Sequence, residues 1–185
     1  DVLEDLPYPD YAPFDKSFVV LNGNVNILLS RGCPFNCTYC CNKALRGVYR
    51  NSSRYYRMPS VQYCIDFLKM MKSHYPDMRH ISFEDDLLIA KKDWFVQFAS
   101  EYAQQIGLPC RVNVRTECID DDIVQALLKM KCETAFIGLE SGNEVIRSQI
   151  LNRRHSNEEI IGKAKMIKDA GIRLFTFKLF GREIL

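Results

Sequence analysis

Cys33, Cys37 and Cys40 stand at C-x3-C-x2-C spacing in the stretch Arg31-Gly32-Cys33-Pro34-Phe35-Asn36-Cys37-Thr38-Tyr39-Cys40, directly after the apolar run Val25 to Leu29. Thiolates are soft ligands that select iron–sulfur clusters and zinc. A [4Fe-4S] cluster has four irons, so three cysteines leave one without a protein ligand and free to chelate a small molecule. Structural zinc asks for four ligands, usually in paired C-x2-C or Cys/His units. This sequence has no second pair of that kind, and His74, His80 and His155 are scattered. A disulfide framework belongs to small secreted chains, whereas here no signal peptide is visible and 47% apolar content in 185 residues supplies an ample core. Cys41 follows the third ligand and reads as a spare small residue.

The elements that must position this loop follow from periodicity. Asp1 to Phe18 is acidic, carries Pro7, Pro9 and Pro13, and shows neither helical nor strand period, so residues 1–18 read as an extended lead-in and 19–185 as one core domain. Val25–Leu29 is a short buried strand. Lys43 to Arg57 combines five cations, three tyrosines and no acid; it reads as a solvated loop over the cysteines or as a surface for an anionic partner. Val61, Cys64, Ile65, Leu68 and Met71 follow helical spacing behind the N-cap candidate Ser60, which makes Cys64 a buried, inert thiol. His80–Glu84 is a strand. Lys92 to about Ile106 is a helix stopped by Gly107 and Pro109. Cys110–Arg115 alternates as a strand, Asp120–Met130 is a helix with acids in its first turn, and Thr134–Leu139 is a fourth strand. A helical segment over Glu144–Leu151 follows. Ser156 and Glu159 form a capping box for the next helix, which Gly171 ends, and Ile172–Phe180 is a fifth strand. Strands alternating with amphipathic helices mean βαβ units, a parallel sheet and an α/β class, with right-handed crossovers curling it into part of a barrel.

The cysteine motif, with an aromatic residue just before its last ligand, resembles the radical S-adenosylmethionine (radical SAM) superfamily. Two further segments are similar to one branch of it, the class B type linked to a cobalamin-binding domain: Phe83-Glu84-Asp85-Asp86 resembles its F-x-D-D segment and Gly138-Leu139-Glu140-Ser141-Gly142 its G-x-E-S-G motif. Leu3 to Tyr11 resembles the linker that joins the cobalamin domain to the core. The resemblance implies a partial (βα) barrel of radical SAM type, with about five βα units present and the chain truncated at both ends. It also implies a [4Fe-4S] cluster on Cys33, Cys37 and Cys40, SAM on the open iron, and cobalamin in the full-length protein.

In parallel α/β barrels the working groups gather at the C-terminal ends of strands, and the motifs fall there. By resemblance Tyr39 lies near the adenine of SAM; as plain chemistry it packs the loop. Among Glu84, Asp85 and Asp86, the resemblance sends Glu84 or Asp85 to the SAM amino group, while capping of the next helix by Asp86 is the alternative. Arg115 pairs with a carboxylate of SAM or of these acids, or makes a structural salt bridge. Glu140 and Ser141 reach the ribose hydroxyls or the methionyl amine, and Arg153 binds the SAM carboxylate or complements a helix C-terminus. The family's continuation after the fifth strand has a glycine, a proline and an acid-threonine pair; Phe180-Gly181-Arg182-Glu183-Ile184-Leu185 keeps only the glycine.

The function so implied is reductive cleavage of SAM to a 5′-deoxyadenosyl radical for hydrogen abstraction, followed in the cobalamin branch by methyl transfer or rearrangement of a small-molecule or peptide substrate. An electron donor such as flavodoxin or ferredoxin is implied with it. The alternatives are an incomplete core that binds a cluster without turnover, and a plain electron carrier. The net charge of +2 argues against a bulk nucleic-acid partner, no apolar run is long enough to span a bilayer, and an oxygen-sensitive cluster implies a reducing cytoplasm.

Overall fold

The structure is a computed structural model, and it describes residues 3–49 and 55–179. These residues form a single parallel sheet of five strands in the order β1 (Asn24–Ile27), β2 (His80–Phe83), β3 (Cys110–Val114), β4 (Cys132–Glu140) and β5 (Arg173–Lys178). Helices α1 (Lys16–Val19), α2 (Cys41–Val48), α3 (Val61–His74), α4 (Lys92–Gln105), α5 (Asp121–Lys129) and α6 (Asn157–Asp169) connect them. Successive strands are neighbours and every pair is parallel, the expected α/β partial barrel.

Alternation along the strands decides which face is covered. On β3, Cys110, Val112 and Val114 are buried while Arg111 and Asn113 are half-buried. The buried set packs with Ile65, Leu68, Phe95, Phe98, Tyr102, Ile123 and Leu127 of the helices in one core. Each such side chain contributes about 1.5–3 kcal/mol. The opposite face is polar on β1 to β3, where His80 and Ser82 both hydrogen-bond Asn24 Oδ1 and Arg111 pairs with Glu84 at 2.8 Å, and aromatic on β4 and β5, where Phe136 stacks with Phe175 and Phe177.

The caps are where the sequence puts them. The Ser60 hydroxyl accepts from Tyr63 N–H, Asp120 accepts from Ile123 N–H, and Ser156 with Glu159 forms the full capping box. Cys64 is fully buried, and burial holds its thiol well above the ordinary value.

Three local expectations change. Residues 41–48, which overlap the Lys43–Arg57 stretch read as a solvated loop, form helix α2, because Arg46 turns inward and donates to the carbonyls of Cys33 and Phe35. The lead-in is not wholly extended. Leu3–Asp5 is a 3-10 turn, Asp15 caps α1, and Tyr8 stacks on Tyr63 and Phe67. Asp86 caps no helix, because a 3-10 turn at Leu88–Ala90 intervenes and α4 starts at Lys92. The helical segment expected over Glu144–Leu151 is present, and it is wound as a π-helical turn at Ile146–Ile150. Residues 50–54 of the cationic stretch and the terminal segment 180–185 lie outside the described residues.

Candidate functional site

The cysteine loop is held from four sides. Its entry leaves β1 and is fixed by Asp85, whose buried carboxylate accepts from the N–H groups of Leu29 and Ser30 and from the Ser30 hydroxyl. Burial raises the Asp85 carboxyl, against the pull of those hydrogen bonds. Gly32 follows with φ 77°, where an added Cβ would lie 2.7 Å from the Tyr55 carbonyl oxygen. There Arg31 and Arg57 exchange two backbone hydrogen bonds of 2.9 Å. Arg46 holds the middle. The far side docks on the turn after β4: Thr38 N–H and hydroxyl donate to the carbonyls of Leu151 and Ile150, and Asn152 Nδ2 donates to Asn36 O at 2.9 Å.

Cys33, Cys37 and Cys40 are all free and line one cavity of about 300 Å³ at the C-terminal ends of the strands. Among the described residues no three His, Cys, Asp or Glu side chains converge on a point that would hold a single metal ion. A mononuclear zinc with bonds of about 2.3 Å would require such convergence. Three thiols lining one cavity are a soft donor set suited to an iron–sulfur cluster. Cys37 Sγ also accepts a charged hydrogen bond from Arg115 Nη1 at 2.9 Å.

Across the cavity, Tyr39, Glu140 and Arg153 form one hydrogen-bonded group. Tyr39 O–H donates to Glu140 Oε1 at 2.7 Å, Arg153 Nη1 donates to the Tyr39 oxygen at 3.1 Å, and Arg153 Nη2 donates to Gly138 O at 2.6 Å. Burial, then the hydrogen bond to Glu140, push the Tyr39 phenol up, so it stays protonated. Gly138 has no room for a side chain: a Cβ would lie 2.5 Å from Glu140 Oε1 and 3.1 Å from Arg153 Nη1. Arg153 Nε is buried and has no protein partner.

The remaining expected residues divide. Glu84 lines the cavity, as does Asp86. Asp85 does not face a ligand: extended chain points alternate side chains to opposite sides, and the middle acid of the three holds the cysteine loop instead. Ser141 is also outside the cavity lining. Glu140 has φ 64°, which turns the chain, and Ser141 Oγ accepts from Asn143 N–H within the following turn. Arg115 is in the cavity wall and makes an ion pair with Glu117 at 2.7 Å. Burial alone would raise Glu117, but contacts from His155 and Arg115 outweigh it and hold the carboxyl down at about 2.

Sequence reasoning missed Arg147, Asn113 and Arg46. Arg147 is fully buried and donates to the carbonyls of Ser141 and His155, locking the turn after β4. Its signal was present, an arginine six residues after the G-x-E-S-G glutamate's neighbour, but no periodicity distinguishes it from a surface cation. A larger, mainly apolar groove of about 470 Å³ lies between the lead-in and α3 and is lined by none of the three thiols. Among the described residues no helix is long and apolar enough to cross a membrane.

Comparison with known proteins gives three findings. The family model described as the radical SAM superfamily matches residues 27–182. The uncharacterized methyltransferase PH0819 of Pyrococcus horikoshii is 23% identical over 173 residues, covering 92% of this chain and 36% of that protein. Two solved structures share the fold. The radical SAM methyltransferase TsrM of Kitasatospora setae, with tryptophan substrate and a SAM analogue bound, aligns with TM-score 0.72 and 14% identity over 89% of this chain and 32% of its own. The cobalamin-dependent radical SAM enzyme OxsB, with aqua-cobalamin and SAM bound, aligns with TM-score 0.69 and 16% identity over 84% and 24%. The chain thus spans about a quarter to a third of these proteins.

Proposed function

As the chain belongs to the radical SAM superfamily, we propose that it forms the catalytic core of a radical SAM enzyme, with Cys33, Cys37 and Cys40 holding a [4Fe-4S] cluster. The observation that carries this is one cavity lined by three free thiols on one side and by Tyr39, Glu140 and Arg153 on the other. When bound, such a cluster supplies one electron that cleaves SAM to a 5′-deoxyadenosyl radical, which takes a hydrogen atom from substrate.

The chain's own residues bind and orient. Arg153 retains an unpartnered buried donor suited to the SAM carboxylate. Glu140 has one oxygen committed to Tyr39 and another for an ammonium or ribose hydroxyl. Glu84 and Asp86 bring negative charge to the same cavity, where an ammonium or sulfonium would be favoured. Tyr39 remains a neutral donor that fixes the Glu140 carboxylate. An external one-electron donor is required. The fold shared with OxsB and TsrM and the similarity to a methyltransferase support a cobalamin-linked reaction, methyl transfer or rearrangement, for the whole protein that contains this core.

A second reading is a core that binds cluster and SAM without turnover. The exposure of Phe175 and Phe177 on β5 favours it, since Phe177 lines the cavity and leaves it open to water. Anaerobic reconstitution with iron and sulfide, then electron paramagnetic resonance of the reduced protein, separates the two. The expected result is a [4Fe-4S] signal that changes on SAM addition, with deoxyadenosine formed in the same tube. A SAM-sensitive signal without deoxyadenosine selects the second reading. Stoichiometric zinc in place of a cluster overturns both.

A further inference from the structure

Arg115 has a divided guanidinium. It is 7% exposed, and a buried arginine facing a carboxylate ordinarily places both arms of its fork on the two oxygens. Here Nη2 donates to Glu117 Oε1 at 2.7 Å, while Nη1 turns away and donates to Cys37 Sγ at 2.9 Å. The plane of the fork stacks on the Phe35 ring, 3.8 Å from its centre, so one face of the cation is shielded from water. His155 Nδ1 backs the arrangement 3.3 Å from Glu117, itself 5% exposed. Cys40 Sγ, by contrast, accepts from the neutral amide of Asn42 at 3.5 Å. The charged donor is aimed at Cys37.

We propose that Arg115 sets the reduction potential of the iron–sulfur centre through its charged hydrogen bond to Cys37. This rests on the reading that Cys37 is a cluster ligand. Hydrogen bonds to cluster sulfurs, net charge and solvent exposure are the levers by which a protein tunes such a centre, and Arg115 applies all three at one ligand. Reduction moves one electron from an external low-potential carrier, which is oxidised by that electron, onto the centre; no proton and no bond change is involved. The added negative charge sits against a guanidinium in a low-dielectric pocket, which stabilises the reduced form more than the oxidised one. Arg115 therefore raises the potential and eases electron loading. Glu117 keeps the fork in its split geometry and offsets part of the positive charge. Arg115 is thus a tuning residue that acts through Cys37.

A mediated redox titration followed by electron paramagnetic resonance on the cluster-loaded protein tests this, comparing wild type with Arg115→Gln and Arg115→Lys. At the wild-type midpoint, the reduced-to-oxidised ratio of Arg115→Gln is expected to fall about tenfold, which is about 59 mV for a one-electron couple, with iron and sulfide content unchanged. Arg115→Lys keeps the charge but cannot fork between sulfur and carboxylate, and is expected to fall between the two. Full cluster loading in Arg115→Gln with an unmoved midpoint overturns this inference alone. If Arg115→Gln does not load, Arg115→Lys decides, because an unmoved midpoint there overturns it equally. A wild type that takes up no cluster overturns the underlying reading as well.

Discussion

Glu140 stands at φ 64°, a backbone region costly for a residue with a side chain. The cost is accepted where β4 and β5 lose register between Gly138 and Glu140, and the effect is to aim the carboxylate at Tyr39 across the cavity. Gly138 beside it leaves the space into which Glu140 and Arg153 fold. Glu117 shows how charge is handled at the same scale. Its carboxyl is held at about 2 against an ordinary 4.5, so between those values the unfolded chain binds the proton that the folded chain refuses. The stabilisation is fully present above pH 4.5 and is lost as pH falls through 2. Glu117→Gln in the metal-free protein is expected to cost about 1–2 kcal/mol at pH 6, the worth of a charged hydrogen bond after solvent screening. Denaturant unfolding of both proteins at pH 6 and pH 3 checks this; a difference that does not shrink at pH 3 would assign the loss to packing rather than charge.

At the scale of elements, two loops from opposite ends of the sequence make one unit. The cysteine loop after β1 and the turn after β4 are joined by Thr38 and Asn152. Asn152 adopts φ 54°, which asparagine tolerates better than alanine. Asn152→Ala therefore loses a hydrogen bond and gains backbone strain, for about 2 kcal/mol, while Asn152→Gly loses mainly the hydrogen bond, about 1 kcal/mol. Urea midpoints of the two variants against wild type test the order, and equal losses would mean that the left-handed backbone carries no cost here. Helix α2 belongs to the same unit. Its N-cap is Cys40 and its Arg46 reaches back to Cys33 and Phe35, so the helix fastens the loop it follows.

For the whole molecule, the sheet has one face sealed by helices and one face that passes from polar on β1 to β3 to aromatic on β4 and β5. On β5, Phe175 and Phe177 stack on Phe136 yet stay 55% and 54% exposed. An exposed apolar edge strand is a template for pairing with another chain. Self-association through this edge is expected in sedimentation velocity, and Phe175→Lys is expected to weaken it several-fold with helical circular dichroism unchanged. Undiminished association would place the contact elsewhere, such as the apolar groove beside the lead-in.

The sequence by itself determined the elements and the chemistry that depends on local order. The helical stripe from Val61 to Met71, the caps at Ser60, Asp120 and Ser156, the alternation of Cys110–Val114 and the C-x3-C-x2-C spacing are all local, because period and ligand spacing are read along the chain. Tertiary structure alone decided which acid faces the cavity. Glu84, Asp85 and Asp86 are adjacent carboxylates, and their directions follow from the strand's orientation in the sheet, which sent Asp85 to hold Ser30. It also decided that Arg115 divides between Glu117 and a sulfur 78 residues away, that Arg147 is buried, and that residues 41–48 coil into a helix. Each of these depends on partners distant in sequence, and charge or propensity read locally carries no information about them.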